Sequence, residues 1–352
     1  MKFQIFTLLD FIPEFHNEKT FLQQSADVMV EAEQNGFEGI WIGEEHFYTF
    51  GLCPNPHMFL AGLSGRTSTL VLGTATALPS LGHPLMRAED YGMLDNISNG
   101  RLRFGIGRGG IPVHFPPFQI DATEAEARYF EALEIIRKAW YSKSFSHDGK
   151  FWQIPEISLA PKPLQNPVPI YQATMSEGGY ARAAEAGDGV YLTLVPGKNE
   201  FVCDLLAKYR QTLRENGKAA TAPQPMCNLH LYIDKDRDVA EAEAQVHMDR
   251  YASHILTMGF PGVDTHTAKM KEGISRFLPK RDEALVGNPE DVIKKIYEVR
   301  DMFGLDNLGI NIQAGGRDFK RVHEQLKLFA KEVMPEFNNI PSADPLKQTV
   351  AA

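Results

Sequence analysis

Short apolar runs alternate with amphipathic helical patterns almost from one end of the chain to the other, and few folds accept that order. The runs fall at 3–9, 37–42, 70–77, 101–107, 169–174, 189–194, 226–233 and 307–312. Helical periodicity fills the intervals at 20–34, 56–68, 84–97, 122–140, 176–185, 198–216, 238–258, 289–303 and 320–333. Turn signals such as Asn35-Gly36 and Asn99-Gly100 close the helices. Strand followed by helix, repeated about eight times over ~330 residues, predicts a parallel sheet covered by helices and closed as a (β/α)8 TIM barrel. A doubly wound open sheet is the alternative. The rhythm pauses at 110–120, which is irregular and proline-rich. It pauses again at 145–165, which reads as a surface hairpin and an extended stretch, and at 259–283, which has no clear period. These read as insertions in a single domain spanning 1–340, with 341–352 as a disordered tail.

Net charge bounds the partners. At −9 the chain lacks the basic face that non-specific nucleic-acid binding needs. Three widely spaced cysteines, Cys53, Cys203 and Cys227, suggest neither a disulfide framework nor a zinc site. The start enters a strand without signal-peptide organisation, and no apolar run reaches the ~18 residues of a membrane span. A cytoplasmic protein is expected.

A barrel of this kind carries its site at the C-terminal strand ends. Strand two delivers Glu44, Glu45 and His46 there. The third delivers Thr76, the fourth Arg108, the fifth Met175 and Ser176, and the last Gln313. Gly105, Gly107 and Gly110 fit G-x-G-x-x-G, but Pro112, Pro116 and Pro117 forbid the helix that a dinucleotide turn requires. Arg108 facing an anion from a strand end suits the stretch better. Ser176-Glu177-Gly178-Gly179 opens a helix directly after a strand, so its unpaired N–H groups and the helix dipole suit a phosphate. The same residues equally suit an N-capped helix start with no ligand. Glu44-Glu45-His46 carries acid/base groups. Successive strand residues point to opposite faces, so the three do not converge on one metal. His57, His83 and His114 lack ligand spacing, and no metal is expected. His83 reads as a partner of backbone carbonyls. Glu45 and His46 should diverge, and the plain alternative for Glu45 is an arginine pair that only holds the loop.

These residues bring a family into view. Trp41-Ile42-Gly43-Glu44-Glu45-His46-Phe47 resembles the W-x-x-E-H-H-F segment of the bacterial luciferase-like flavin monooxygenases. Gly73-Thr74-Ala75-Thr76-Ala77-Leu78-Pro79 with His83-Pro84 is similar to that family's third strand and its exit. The run from Asp95 to Gly109 resembles D-x-x-S-x-G-R-x-x-x-G-x-x-R-G. Val168-Pro169-Ile170-Tyr171, Val286-Gly287-Asn288-Pro289-Glu290 and Leu328 to Pro335 are similar too, in the same order.

The resemblance implies a TIM barrel binding reduced FMN at its rim. Arg108 and Gly109 would hold the phosphate together with Ser176 and Gly178. Ala75-Thr76 matches a non-prolyl cis peptide under the flavin ring, and Met175 stands beside it where a luciferase has an acidic residue. His46 matches the second histidine of E-H-H-F, and Glu45 replaces the first, so these two are the catalytic candidates. The implied activity is that of a two-component FMN-dependent monooxygenase, which oxidises a small organic substrate with O2 through a flavin C4a-peroxide. A separate reductase would supply reduced FMN. A homodimer through helices 56–68 and 84–97 is implied as well. The alternatives are an F420-dependent oxidoreductase of the same fold and a non-catalytic flavin-binding protein.

Overall fold

The computed structural model describes residues 1–111, 114–192, 194, 199–257 and 280–347. Eight parallel strands close on themselves in the order β1 (Lys2–Thr7), β2 (Gly39–Ile42), β3 (Val71–Thr74), β4 (Leu102–Ile106), β7 (Ile170–Ala173), β8 (Gly189–Leu192), β9 (Met226–Ile233) and β11 (Asn307–Asn311). Ile5 pairs with Ile40 on one side and Ile310 on the other, which seals the barrel. The alternation predicted this closed architecture, and the open-sheet alternative falls.

The barrel is filled rather than hollow. Phe6, Trp41, Ala75, Tyr171, Tyr191 and Met226 pack inside it, and the Trp41 indole N–H donates to Gln4 Oε1 at 2.9 Å. A Trp in that position needs the partner, because a buried indole N–H left alone costs a hydrogen bond. Outside lie α1 (Glu18–Gln34), α2 (Pro56–Ser64), α3 (Pro84–Ile97), α4 (Ala125–Tyr141), α5 (Glu177–Ala186), α6 (Asn199–Glu215), α7 (Arg237–Thr257), α8 (Pro289–Phe303) and α9 (Phe319–Glu332). Their ends follow local chemistry. Asn288 and Asp291 form a capping box that starts α8, and Gly304 in the left-handed region ends it. A β-hairpin, β5 (Phe145–Asp148) with β6 (Gln153–Ile157), interrupts the rhythm where a surface hairpin was expected.

α7 bears directly on the site. His247 Nδ1 meets the Gly315 carbonyl at 2.8 Å beyond β11. His254 Nε2 lies 3.3 Å from Thr49 Oγ1 beyond β2, and 3.9 Å from Asp10 Oδ1 beyond β1. The helix therefore runs across one side of the barrel mouth.

Three details depart from expectation. A short strand, β10 (Leu285–Gly287), pairs with the far end of β9, where 283–288 had shown no element. Residues 122–124 form a 3-10 turn, and α4 starts at Ala125. Residues 341–347, expected as loose tail, lie against the body: the buried Asp344 accepts from Arg210 Nε at 3.2 Å, and the Ala343 N–H donates to Asp306 at 2.9 Å. The buried Arg210 guanidinium supplies the reason, since an unpaired charge there would be costly. The expected excursion at 259–282 falls mostly outside the described residues.

Candidate active site

Two groups of rim residues assemble, one of guanidinium groups at a helix start and one of carboxylates and imidazoles. In the first, Ser176 caps α5, its Oγ accepting from the Gly179 N–H at 3.2 Å. Gly179 is required there, because a Cβ would come within 1.9 Å of Thr174 Oγ1. The N–H groups of Glu177 and Gly178 begin the helix with no partner inside it. Arg108 stands beyond β4 with its side chain 56% exposed, 3.9 Å from the Glu126 carboxylate. Glu126, on α4, lies 3.3 Å from Arg182, whose guanidinium is 3.5 Å from where a Gly178 Cβ would be. One carboxylate thus links two guanidinium groups beside a helix N-terminus. Sequence reading proposed Arg108 and Ser176 but missed Arg182 and Glu126, which reach the corner only through helix packing.

Between the two groups lies the Ala75–Thr76 peptide, which is cis as the resemblance implied. Gly109 has φ 85° in the loop after β4, and Met175 is 37% exposed just beyond β7.

The second group surrounds Glu44-Glu45-His46. Glu44 is buried, and it takes the arginine. Its Oε1 accepts from Arg87 Nη2 at 2.6 Å and lies 3.0 Å from His46 Nε2, while its Oε2 accepts from the Leu78 N–H at 3.0 Å. The alternative that gave Glu45 an arginine partner is therefore corrected: Glu45 turns the other way. Tyr48 Oη donates to Glu45 Oε2, and His114 Nε2 lies 3.4 Å from the same oxygen. Gly51 packs beneath Glu45, where a Cβ would fall 2.6 Å from Glu45 Cγ. His46 carries Phe118 edge-on at 5.1 Å, and Phe47 covers Phe118 at 5.3 Å. Glu45 and His46 take different partners, although both stand beside His114 in the loop beyond β2.

Other expectations move. Gln313 turns away from the mouth and donates to Ser25 Oγ on α1 at 3.2 Å. Among the described residues His83 meets no carbonyl; it caps α3, its Nδ1 accepting from the Leu85 N–H at 3.2 Å.

Below α7 the mouth holds groups the sequence did not single out. Burial pushes the Asp10 carboxyl up to about 7, against the pull of the Gly315 and Gly316 N–H groups. Burial, helped by the Arg317 charge, pushes the His230 imidazole down to about 4. The His230 ring meets Tyr251 of α7 at 5.3 Å. A groove of about 460 Å³ between α7 and α8 contains none of these residues. Its Arg237 and Arg281 are already paired with Asp291 and Glu241, so the rim remains the candidate site.

A family model described as luciferase-like monooxygenase matches residues 1–306. The chain belongs to the luciferase-like monooxygenase family. It is thereby an oxidoreductase that incorporates oxygen from O2. Among its relatives, the oxygenase component of the flavin-dependent trigonelline monooxygenase of Acinetobacter baylyi is 27% identical, with 96% of each chain covered. The alkanal monooxygenase alpha chain of the Kryptophanaron alfredi symbiont is 26% identical, over 95% of this chain and 98% of that one. The crystal structure of monooxygenase RslO1 from Streptomyces bottropensis superposes with a TM-score of 0.85 at 28% identity, covering 96% and 100% of the two chains. Among the described residues, no helix of this luciferase-like monooxygenase is long and apolar enough to cross a membrane.

Proposed function

We propose that the chain is the oxygenase component of a two-component, FMN-dependent monooxygenase, with reduced FMN supplied by a separate reductase and a small organic molecule as substrate. The observation that carries a phosphate-bearing flavin is the corner where Arg108 and Arg182 meet Glu126 beside the start of α5. That donor set, two guanidinium groups and free helix N–H groups, fits a phosphate. Arg108, Gly109, Ser176 and Gly178 would hold it, and Ala75, Thr76 and Met175 would line the ring. Bound reduced flavin supplies the activation of O2. The chain's own work is different. Phe47, Phe118 and the wall formed by α7 exclude water from the mouth. Glu44, fixed by Arg87, holds the His46 ring in one orientation. Glu45, with no arginine partner among the described residues, is the carboxylate left to handle a proton. The oxygenase-component name of the Acinetobacter relative supports the separate reductase.

Binding tests the phosphate, and turnover tests the cofactor. Riboflavin, which lacks the phosphate, should bind far more weakly than FMN, and Arg108→Ala should weaken FMN by about 1.5–3 kcal/mol, the range for a charged hydrogen bond. Equal affinity for FMN and riboflavin overturns the reading. The purified chain should not consume NADH, and an added flavin reductase should start substrate oxidation. Turnover with a reduced deazaflavin in place of FMN would assign hydride transfer instead.

A further inference from the structure

The His46 imidazole has one bonded nitrogen and one open one. Its Nε2 lies 3.0 Å from Glu44 Oε1. That carboxylate already accepts at both oxygens, from Arg87 Nη2 at 2.6 Å and from the Leu78 N–H at 3.0 Å. A carboxylate paired with an arginine offers only acceptors, so Nε2 is the nitrogen that carries hydrogen and Nδ1 is bare. Nδ1 bonds none of the described residues, and it is not among the buried unpartnered nitrogens, as the Nδ1 atoms of His57, His114 and His230 are. Part of the 9% of this side chain that stays exposed therefore lies at Nδ1.

Backbone contacts put this nitrogen at the barrel mouth. β2 ends at Ile42, so His46 stands just past the C-terminal edge of the barrel. The Glu44 N–H donates to the Thr76 carbonyl at 3.0 Å, and the Leu78 N–H donates to the Glu44 side chain. The segment is thus fastened twice to the stretch that holds the cis Ala75–Thr76 peptide. Two phenylalanines flank the imidazole, Phe118 edge-on at 5.1 Å and Phe47 at 5.5 Å. Each comes from a loop that hides another phenylalanine. Phe50 and Phe115 are 6% and 3% exposed, whereas Phe47 and Phe118 are 55% and 37% exposed. Phe47 also takes φ 71°, a conformation that a bulky side chain keeps only where its surroundings hold it. An acceptor and two open aromatic rings therefore meet at one point of the mouth.

We propose that His46 Nδ1, Phe47 and Phe118 form the recognition corner for the substrate, and that the substrate is an aromatic ring carrying a hydroxyl at its edge. This rests on the monooxygenase reading above and names the substrate class for that site. The ring packs on Phe47 and Phe118 in the offset or edge-on manner of aromatic pairs. Its hydroxyl donates to the bare Nδ1. A methyl ether of the same ring has no hydrogen to give and leaves the nitrogen unpaired, so the corner discriminates against it. A carbonyl or carboxylate finds no donor at this nitrogen. Glu44 and Arg87 are positioning groups here: by keeping the hydrogen on Nε2 they keep Nδ1 an acceptor. Glu45 is bonded to Tyr48 and faces His114, and it takes no part in this contact.

The test uses phenol, anisole and cyclohexanol as probes, with the flavin-free chain and again with FMN present. In the ¹⁵N-histidine spectrum of the parent, neutral His46 should carry its hydrogen on Nε2, and phenol should shift the Nδ1 signal. Hydrogen on Nδ1 overturns the proposal. Glu44→Gln, whose amide can donate to a bare Nε2, should bring in the second tautomer, and an unchanged spectrum overturns the positioning role. By calorimetry the parent should bind phenol roughly tenfold or more tighter than anisole, the scale of one hydrogen bond, and cyclohexanol more weakly than phenol. His46→Phe keeps a ring at that place and should erase the preference for phenol over anisole, with FMN affinity within about twofold of the parent because the phosphate corner is separate. Phe118→Leu should weaken phenol and anisole alike, roughly two- to tenfold, and keep the preference. Equal affinity for phenol and anisole in the parent, binding of neither, or a preference that survives in His46→Phe overturns the proposal. Should His46→Phe fail to fold, the parent's preference and its phenol-induced Nδ1 shift decide. Failure of the FMN reading shows separately, as equal affinity for FMN and riboflavin, and the flavin-free measurements still decide the phenol corner.

Discussion

Arg87 reaches from α3 to the Glu44 carboxylate at 2.6 Å, and this one pair fixes the loop on which Glu45 and His46 stand. The Glu44 side chain is fully buried, so its charge depends on that partner. Arg87→Met should leave the carboxylate with only His46 and the Leu78 N–H. The expected cost is about 3–5 kcal/mol, the range for breaking a buried pair from one side. Urea unfolding measures it. A loss below about 1 kcal/mol would class the pair with exposed ones and release the loop from this explanation.

Glu126 sets the second prediction. It stands between Arg108 at 3.9 Å and Arg182 at 3.3 Å, and all three side chains are largely exposed. A phosphate arriving at the α5 start competes with it for both cations. Glu126→Gln should therefore tighten FMN roughly two- to fivefold, the scale of an exposed ion pair. Riboflavin affinity should not change. Flavin fluorescence titration reads both. Weaker FMN binding would mean that Glu126 holds the arginines in place and does not oppose the ligand.

The barrel was legible because strands buried on both faces read as continuous apolar runs, and eight of them alternate with helical periods. β10 escaped because three residues, Leu285 to Gly287, are too few to show a period. At the candidate site, residue types and strand ends pointed to Arg108, Ser176, Glu45 and His46. Their partners were another matter. Whether Glu44 or Glu45 meets an arginine depends on where α3 packs, and only the structure brings Arg87 to Glu44. Gln313 sits at a strand end as expected, yet Ser25 of α1 draws its side chain outward. His114 has no spacing signal at all, since the fold brings it to Tyr48 across 66 positions of sequence.

The mouth also holds two titratable groups with opposite effects on stability. Asp10 rises from its ordinary 3.8 to about 7 in the fold. Between those values the unfolded chain has released the proton and the folded chain keeps it, so Asp10 makes stability fall as pH rises. His230 falls from 6.5 to about 4. Over that window the unfolded chain binds the proton and the folded chain does not, so His230 makes stability rise with pH. Asp10→Asn should thus gain on the parent as pH climbs from 4 to 7 and run parallel above it. His230→Gln should lose ground to the parent from pH 4 to 6.5. Unfolding free energies at four or five pH values test both, and parallel curves throughout would show that neither group is shifted.

The last prediction concerns what covers α2 and α3. Leu60, Leu63, Tyr91 and Leu94 face the barrel and are buried, whereas Met58, Met86, Met93 and Ile97 are 69%, 62%, 57% and 50% exposed. Met86, Met93 and Ile97 are spaced by seven and four, which places them on a single stripe of α3. Met58 on the adjoining α2 widens it. A stripe of exposed large apolar side chains on a charged protein marks a contact site. A second copy of the chain is the expected occupant, two-fold symmetric, so that the same stripe meets itself. Light scattering at micromolar concentration should give twice the mass of 39.4 kDa. Met86→Glu with Met93→Glu should halve it, because facing carboxylates would be buried against each other across the axis. The double variant should retain FMN binding, since the stripe shares no residue with the phosphate corner. A parent protein of monomeric mass would refute the dimer, and an unchanged dimer in the double variant would move its interface elsewhere on the molecule.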